Sequence, residues 1–598
     1  MDRLAVPLFV AMITSATASA EDPVRYTLRF PAPETHYVEV EARVATGGRA
    51  EIEFMMPVWT PGSYMVRDYS GRVEEVGASG SNGEPLSVRK TRKNRWLVET
   101  NGAGEVGFRY QVYSREMSVR SNWVERDFAI INGAPTFMAM LDDAGKPAAV
   151  GYEIRLELPA SWPRMHSGLP SEDSVYRARD YDTLVDSPIM AGDLAVYEFA
   201  VEGKPHYLAN LGEGGVWDGD RSAADVAKIV EEQVKFWGVV PYDSYSFLNA
   251  ITEGRGGLEH LNSTMLMTSR WATSTRKAYL GWLNLASHEF FHTWNVKRLR
   301  PDAITSFDYE TENYVGDLWM SEGLTSYYDP LFVRRADLST QKEYLSELSS
   351  EIEKLQGASG RLVQSVEESS YDAWVKYYRR SENTANTVVS YYTKGALVGF
   401  ILDAKIRRDS KGERTLDDVM RGAYERFSGD TGFTRESFVG LVGEIGSAEI
   451  ALWLDKTVRT SDELDFGQAL DWYGLRFKAT EDEDEPVAFL GIGHEAQQGR
   501  HVVTEVKRGT PAFDAGLNVN DELIGIDDYR ISGAGLPERL RQYRPGDVLE
   551  ILVARRDRLL TLKLTAGETP RSWQLEVDPD ATDDQKDHLA AWLGKDKD

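Results

Sequence analysis

The sequence predicts a multidomain α+β protein, with an N-terminal antiparallel β domain, a mainly helical middle domain and a smaller C-terminal β domain. Residues 26–202 alternate apolar and polar side chains in short runs separated by turn residues, a pattern typical of antiparallel strands. From about residue 279 to 453 the apolar side chains recur with the period of a helix. After an acidic run at 481–485, which predicts a solvated linker, a compact strand-rich segment follows.

Composition excludes several functional classes. The chain has 598 residues, of which 68 are basic and 95 acidic, so its formal net charge is −27. Such a charge predicts repulsion from nucleic acids and anionic membranes, and neither partner is expected. Cysteine is absent, which excludes disulfides, thiol nucleophiles and iron–sulfur clusters. A transition metal in this protein therefore needs histidine or carboxylate ligands.

The first twenty residues have the pattern of a signal peptide. Arg3 supplies a positive start, residues 4–13 are mostly apolar, and Ala18-Ser19-Ala20 offers a cleavage site. The apolar run is too short to span a membrane, and no later stretch reaches about 18 uninterrupted apolar residues, so no membrane span is predicted. We expect a periplasmic or secreted protein, the alternative being an uncleaved, frayed N-terminus.

These patterns predict five segments along the chain. They are a signal peptide at 1–20, the N-terminal β domain at 21–205, the catalytic domain at 206–480 (mainly helical from about 279), a second β domain at 487–567 and an acidic C-terminal tail at 568–598.

The sequence His288-Glu289-Phe290-Phe291-His292 is an HExxH motif in an apolar stretch that predicts a helix over residues 282–296. Two histidines four apart lie on the same face of a helix, so both imidazoles can bind one zinc ion. Glu289, the next residue along, is then placed to take a proton from the metal-bound water. The alternative is a pair of buried, hydrogen-bonded histidines on a core helix.

A catalytic zinc ion usually has three protein ligands. The metzincin extension of the motif would have Gly at 295 and His at 298, but these positions hold Asn295 and Arg298. Glu322, in an apolar stretch at 318–328 that predicts a second helix, is the better candidate, because a glutamate there is costly to bury unless paired or metal-bound. We expect one Zn²⁺ per chain. A surface glutamate at a kink by Gly323 is the alternative.

Four segments together resemble the glycyl aminopeptidase family of thermolysin-like zinc peptidases. They are HEFFHTWN at 288–295, LWMSEGLTSYY at 318–328, SYYTKG at 390–395 and PVWTPGSYMVRD at 57–68. The resemblance implies a thermolysin-like catalytic domain, zinc as cofactor and peptides with a free N-terminus as substrates. It also implies a preference for small first residues such as Gly or Ala.

The same resemblance implies a tyrosine that stabilises the oxyanion of the reaction, just before a Lys-Gly pair. In this sequence that residue is Tyr392, ahead of Lys394-Gly395. Tyr391 is the adjacent alternative, because a helix separates successive side chains by about 100° and only one can face the metal. Both tyrosines could also be ordinary core aromatics.

The segment Gly256-Gly257-Leu258-Glu259-His260 resembles the Gly-x-Met-Glu-Asn segment of related aminopeptidases, whose glutamate binds the free amine of the substrate. Glu259 matches that glutamate, and Gly256 and Gly257 would also line the substrate site. Leu258 and His260 depart from the pattern, which leaves strict exopeptidase action open. The following residues, 261–264, read as an edge strand along the cleft. The structural alternative is a β-bulge at the glycines with Glu259 exposed.

The C-terminal β segment resembles a PDZ domain. Leu490, Gly491 and Ile492 match the loop that presents backbone N–H groups to a peptide carboxylate in that fold, and residues 509–524 match its next turn. Whether this domain binds a C-terminal peptide or only packs on the catalytic domain stays open.

The function predicted from these observations is an exported zinc aminopeptidase. One alternative is a PDZ-guided endopeptidase with an open cleft, and an alternative of another class is a peptide-binding module with a structural zinc. Arg379 and Arg380 are candidates for binding a substrate carboxylate, although surface charge is the favoured interpretation of both residues.

Overall fold

The computed structural model describes residues 22–478, 487–531 and 535–596. The predicted signal peptide and the acidic linker at 481–485 lie outside these residues. The described chain contains an N-terminal β domain, a helical domain built on a five-stranded sheet and a C-terminal β domain, which confirms the predicted class. Across the described ranges, no helix combines the length and the apolar character that crossing a membrane requires.

The N-terminal domain is built of short strands in which buried and exposed side chains alternate, as the sequence predicts. Its elements are β1 Val24–Arg29, β2 Tyr37–Ala45, β3 Glu51–Met55, β4 Val73–Gly80, β5 Pro85–Leu86, β6 Val88–Arg92, β7 Arg95–Glu99, β8 Glu105–Tyr113, β9 Trp123–Val124, β10 Phe128–Ile131, β11 Ala139–Met140, β12 Tyr152–Glu157, β13 Arg164–Ser167, β14 Ser171–Glu172, β15 Val175–Ala178, α1 Tyr181–Val185 and β16 Ile189–Gly192.

These strands form three sheets packed around one core. The largest has eight strands in the order β14-β15-β12-β1-β2-β8-β4-β5, and the two smaller sheets have the orders β11-β3-β7-β6 and β13-β16-β10-β9. Strand β1 is parallel to β12, with Val24 opposite Tyr152. Phe54 of β3 stacks on Phe108 of β8 with ring centroids 4.1 Å apart, so this aromatic pair joins two sheets.

The helical domain begins with a sheet in the order β17-β18-β19-β21-β20 and continues as helices, with a π-helical turn at Trp319–Leu324 before α4. Its elements are β17 Leu194–Val201, β18 Lys204–Leu211, α2 Gly219–Trp237, β19 Tyr245–Ile251, β20 Gly256–Glu259, β21 Ser263–Thr268, α3 Arg276–Phe291, α4 Thr325–Arg335, α5 Gln341–Gly357, α6 Val366–Tyr371, α7 Thr384–Thr387, α8 Tyr391–Asp409, α9 Leu416–Phe427, α10 Arg435–Ile445, α11 Ala448–Arg459, α12 Gly467–Tyr473 and β22 Leu475–Phe477.

Two details of this sheet differ from the sequence prediction. Strand β17 pairs with β18, so residues 194–205 belong to the sheet of the helical domain although they were expected in the N-terminal domain. The alternation of side chains continues without a break across this boundary, which is why the pattern could not show it. The edge strand is β20 and not 261–264, because β21 pairs with β19 on one side and β20 on the other.

The segment at 57–68 connects the N-terminal domain to the helical domain. Val58, Trp59 and Tyr64 are buried in the core of the helical domain, not in that of their own sheets. The Trp59 indole N–H donates to the carbonyl oxygen of Asp308 at 2.7 Å, and its ring packs edge-on against Trp374 at 5.1 Å. The segment that carries part of the family resemblance therefore serves as an anchor between domains.

The C-terminal β domain has its own small core and contacts the helical domain through hydrogen bonds that include those of Asn386 and Ser359. The Ser359 hydroxyl donates to the carbonyl oxygen of Arg508 at 3.1 Å. Both the N–H of Arg508 and the carbonyl oxygen of Val506 bond to the amide of buried Asn386 in α7, at 2.7 and 2.8 Å. The elements are β23 Ala488–Phe489, β24 Ile492–Gln497, β25 Arg500–Val506, α13 Pro511–Asp514, β26 Glu522–Ile526, β27 Tyr529–Arg530, α14 Gly535–Leu540, β28 Val548–Arg555, β29 Arg558–Thr565 and β30 Gly567–Glu568.

The segment at 568–598, predicted as an acidic tail, instead packs back on the helical domain in its described part. It forms β31 Leu575–Val577, which pairs with β22, and α15 Asp583–Leu593. Trp592 of α15 stacks on Tyr473 with ring centroids 4.3 Å apart and is 1% exposed. The segment is acidic overall, so its composition did not reveal that one face of α15 is apolar. Burial of this face against the helical domain holds the helix in place.

Candidate active site

Helix α3 carries His288 on the face that lines a cleft, and His292 directly follows the last helical residue as the C-cap. The Thr275 hydroxyl caps the helix by accepting from the Ala278 N–H at 3.2 Å, and the helix ends at Phe291. Because His288 and His292 are four residues apart, their rings lie one above the other and their Nε2 atoms are 3.1 Å apart.

Glu322 completes a triangle of ligand atoms with these two rings. Its Oε2 lies 3.1 Å from Nε2 of His292 and 3.5 Å from Nε2 of His288. Glu322 is 2% exposed, which rules out the surface position considered as an alternative. It lies in the π-helical turn, and the Asn295 side-chain amide donates to the carbonyl oxygens of Met320 and Ser321 at 3.1 Å. That amide ties the turn to the end of α3.

Hydrogen bonds at the other ring nitrogens set the tautomers of both histidines. Nδ1 of His292 lies 2.7 Å from the carbonyl oxygen of Asn295, which can only accept, so this nitrogen carries the proton. Nδ1 of His288 lies 2.9 Å from the carboxylate of Asp329. In the neutral rings both Nε2 lone pairs therefore point at each other and at Glu322, an arrangement that a cation stabilises.

The donor set fits a divalent metal ion. Ligands at 2.0–2.2 Å in a tetrahedron around zinc are about 3.3 Å apart, and the three distances here bracket that value. Two imidazoles and a carboxylate are a common ligand set for catalytic zinc, which leaves its fourth position to water. The geometry of the histidine pair therefore suits metal ligands better than a simple pair of hydrogen-bonded core residues.

Burial and charge set the acidity of the two carboxylates beside this triangle. Burial alone would raise the pKa of Glu322, but the two imidazoles outweigh it and hold that pKa at about 2, so this ligand is ionised. Burial raises the pKa of Glu289 to about 7, against the opposing effect of the histidines. A carboxyl group whose pKa lies near neutrality suits a residue that accepts and returns a proton.

Glu259 lies on the edge strand β20 with its carboxylate inside the cleft. Its ligand atom lies within 4.8 Å of those of Glu289 and His292, and the residue is 4% exposed. The pairing of β20 with β21 is regular, so the bulge with an exposed Glu259 considered from the sequence is absent from these two strands. Among the described residues none donates a hydrogen bond to this carboxylate, which leaves it ready for a cationic group.

Two glycines bring backbone close to these carboxylates. Gly62 of the N-terminal domain has φ +82°, and a methyl group there would lie 2.6 Å from Oε1 of Glu259. A methyl group at Gly257 would overlap the Glu289 carboxylate. Gly256, also expected to line the substrate site, has φ +118°, which favours glycine, but it is not among the residues that line the cleft. The end of the cleft at Glu259 is therefore narrow and is bounded by Gly62 of the N-terminal domain.

The structure separates the two candidate tyrosines. The Tyr392 ring lies 6.2 Å from that of His288, lines the cleft and places its hydroxyl 3.5 Å from the hydroxyl of Tyr378. Tyr391 is fully buried and packs against Tyr377 with ring centroids 4.7 Å apart. Only Tyr392 therefore faces the histidines, as the helical geometry at the start of α8 requires.

The cleft has a volume of about 460 Å³ and contains residues that the sequence analysis missed. Asp329, which orients His288, follows Glu322 by seven residues in an apolar helix, so the argument that identified Glu322 could also have found it. Arg120 and Gly62 come from the N-terminal domain and carry no such signal in the sequence.

The PDZ-like domain places its predicted carboxylate loop at a separate groove. Leu490, Gly491 and Ile492 line a cavity of about 800 Å³ together with Leu536 and Leu540 of α14. Gly491 has φ +84°, so the loop depends on glycine there. The domain both docks on the helical domain and leaves this groove free.

Comparisons with known proteins agree with this geometry. The family model of the M61 glycyl aminopeptidase matches residues 281–398, that of the peptidase M61 N-terminal domain matches 25–193, and that of the PDZ domain matches 488–565. The crystal structure of an aminopeptidase N family protein from Idiomarina loihiensis is 30% identical, with a TM-score of 0.88, over 95% of this chain and 100% of that chain.

Two further likenesses are more limited. The serine endoprotease DegS of Escherichia coli K12 is 38% identical over 89 residues, which are 15% of this chain and 25% of DegS, so the chain spans a quarter of that relative. An M1 zinc metallopeptidase from Deinococcus radiodurans is 14% identical with a TM-score of 0.45, over 75% of this chain and 95% of that one, and adds nothing to the assignment. The family models and the full-length match to the Idiomarina protein show that the chain belongs to the M61 glycyl aminopeptidase family and is a metallopeptidase.

Proposed function

We propose that this protein is a zinc aminopeptidase that removes single N-terminal residues, preferably small ones, from peptides. The observation that carries the proposal is the buried Glu259 carboxylate, which has no hydrogen-bond donor among the described residues and lies beside the triangle of His288, His292 and Glu322. A substrate ammonium bound there would place the first peptide bond, and no later one, against the catalytic groups. The closeness of Gly62 leaves little room around the first residue and supports a preference for Gly or Ala.

His288, His292 and Glu322 would hold the zinc ion. A zinc ion bound there would act as a Lewis acid and would lower the pKa of a bound water to about 7. Glu289 accepts the proton of the attacking water and returns a proton to the leaving amine.

Tyr392 donates its hydroxyl proton in a hydrogen bond to the oxyanion that develops on the former carbonyl oxygen. Glu259 accepts hydrogen bonds from the substrate ammonium and so sets the register of the peptide.

An N-acetylated peptide and its free-amine twin test the proposal directly. We expect the purified protein with zinc to cleave alanyl p-nitroanilide and not its N-acetyl form, and to lose nearly all turnover as Glu289→Gln or with a chelator. Glu259→Gln should raise KM for the free amine, while the control Glu253→Gln, at an exposed position on the same segment, should not. Equal cleavage of acetylated and free peptides would favour the endopeptidase alternative, and an inactive wild type would favour a binding module.

We also propose that residues 1–20 direct export to the periplasm or medium and are then removed, and that the PDZ groove binds a C-terminal peptide. The first proposal rests on the sequence pattern alone. The second is supported by the glycine loop and the free groove. N-terminal sequencing of the protein from a periplasmic fraction and calorimetry with a library of free-carboxylate peptides test these two proposals.

A further inference from the structure

Arg120 brings a positive charge from the N-terminal domain into the cleft. It lies in the loop between β8 and β9, is half-buried, and lines the same cavity as Glu259, His288 and Tyr392. Its backbone is held on both sides, since Tyr69 donates its hydroxyl to the Arg120 carbonyl oxygen at 2.9 Å and the Arg120 N–H donates to Ser118 Oγ at 3.2 Å. The loop therefore presents the guanidinium group from a fixed position.

The guanidinium group has no partner within the described part of the chain. It makes no hydrogen bond and no ion pair there, and its Nε atom is buried and unsatisfied. Neighbouring cations differ: Arg72 pairs with Glu116, and Arg67 donates to the backbone carbonyl of Met65 at 3.1 Å. The second cation of the cleft, Lys354, pairs with Glu351 at 2.5 Å. A half-buried guanidinium that lacks these contacts is costly unless an anion binds it.

The position of Arg120 relates it to the reaction centre. Burial raises the pKa of Tyr378, and Arg120 is close enough to this phenol to oppose that rise. The Tyr378 hydroxyl in turn lies 3.5 Å from that of Tyr392, so Arg120 faces the part of the cleft that holds the first peptide bond. Arg379 and Arg380, the candidates from the sequence, are exposed and do not line the cavity.

We propose that Arg120 binds a carboxylate of the substrate and makes the cleft selective for peptides that carry one near the scissile bond. This inference rests on the proposed aminopeptidase function. An arginine binds a carboxylate with two parallel N–H···O bonds, which gives both affinity and orientation. Two sources supply this chemistry: the side chain of an acidic first residue and the terminal carboxylate of a dipeptide.

Four substrates separate the two sources: Ala-Ala-NH₂ without a carboxylate, Ala-Ala with a terminal one, Asp-Ala-NH₂ with a side-chain one, and its neutral isostere Asn-Ala-NH₂. In the zinc-loaded protein Arg120→Met should lower kcat/KM about tenfold to hundredfold for a carboxylate-bearing substrate, mainly through KM, and change Ala-Ala-NH₂ less than about threefold. Arg72→Met is the matched control, since it removes the same charge from an exposed ion pair of the same domain. Arg120→Lys should restore part of the loss.

A selective loss on Ala-Ala alone identifies the terminal carboxylate as the ligand, and a selective loss on Asp-Ala-NH₂ alone identifies the side chain. An equal loss on all four substrates, or no loss on either carboxylate substrate, overturns the proposal. Calorimetry of the same peptides with Glu289→Gln, with and without Arg120→Met, measures the carboxylate contribution to Kd without turnover. A wild type that cleaves nothing but binds Asp-Ala-NH₂ through Arg120 would therefore count against the proposed function and not against this inference.

Discussion

Gly323 and Gly395 lie backbone against backbone where the π-helical turn of Glu322 crosses α8. A methyl group added at Gly323 would lie 2.6 Å from Cα of Gly395, and one added at Gly395 would lie 2.8 Å from Cα of Gly323. Since Gly395 follows Tyr392 by three residues, this contact sets the position of Tyr392, the proposed oxyanion donor, relative to Glu322, the proposed metal ligand. Close packing against Gly323 therefore explains why a glycine follows Lys394 at position 395.

Gly395→Ala should push the two helices apart. We expect a loss of about 1–3 kcal/mol in the free energy of unfolding, as for other overpacked cores, together with a fall in kcat because Tyr392 shifts from Glu322. Urea unfolding and steady-state kinetics measure the two effects. Gly440→Ala in α10 is the control: this glycine is exposed with no atom within 4 Å of an added methyl group, and alanine should stabilise the helix by up to about 1 kcal/mol. Identical behaviour of the two variants would contradict the packing argument.

Tyr392→Phe should lower kcat about 10²–10³-fold with little change in KM, because the lost hydrogen bond is made to the oxyanion and not to the bound substrate. Tyr391→Phe should retain most activity, since this hydroxyl is buried without a hydrogen-bond partner among the described residues. Kinetics of both variants on one alanyl substrate decide between them. A larger loss of activity in Tyr391→Phe than in Tyr392→Phe would contradict this assignment, because it would mean that Tyr391 and not Tyr392 faces the histidines.

Asp329→Asn should weaken metal binding about 10–100-fold, because the carboxylate that orients His288 and increases its basicity is lost. Competition with a fluorescent zinc chelator gives the affinity directly. The control Asp243→Asn removes a carboxylate from a surface pair with Lys204 and should leave the affinity unchanged. An unaltered zinc affinity of the Asp329→Asn variant would show that the hydrogen bond with Asp329 does not determine the tautomer of His288.

Activity should fall toward acid pH as Glu289 becomes protonated, because a general base works only in its ionised form. Burial raises its pKa to about 7, and a bound divalent cation opposes that rise. The midpoint of the acid limb of kcat/KM is therefore expected below 7 and above the ordinary glutamate value of about 4.3. A profile that stays flat down to pH 4 would exclude Glu289 as the base with a raised pKa.

Acid should also weaken the contact between domains at Asp186, which bonds to Lys297 at 2.7 Å and to His260 at 3.2 Å. Burial alone would raise its pKa, but these two partners outweigh burial and lower that pKa to about 2. A lowered carboxyl pKa stabilises the fold above the unfolded value of about 3.9, and this stabilisation, about 2 kcal/mol, is lost as the pH falls toward 2.

Asp186→Asn should therefore cost about 3–5 kcal/mol at pH 7, since buried Lys297 loses its partner, and should unfold with a flatter pH dependence between pH 4 and 2. Denaturant unfolding at several pH values measures both quantities. A variant whose pH dependence matched that of the wild type would show that Asp186 is not the titrating group.

The metal triangle was predictable because its signals are local. Two histidines at helical spacing meet on one face by geometry alone, and Glu322 is detectable as a carboxylate in an apolar stretch. The sequence could not decide between Tyr392 and Tyr391, because the direction of each side chain depends on the residue at which α8 begins. The Ser390 hydroxyl caps that helix by accepting from the Thr393 N–H at 3.2 Å, which rotates Tyr391 into the core and Tyr392 into the cleft.

The sequence by itself determined the order of the domains, the HExxH helix and the kind of ligand a metal would need, because alternation, helical spacing and the absence of cysteine are properties of neighbouring residues or of composition. Only the tertiary structure decided that Gly62 lies against Glu259 and that Arg120 lines the cleft. These residues are far apart along the chain, and their contacts come from the packing of one domain on another, which no local periodicity encodes.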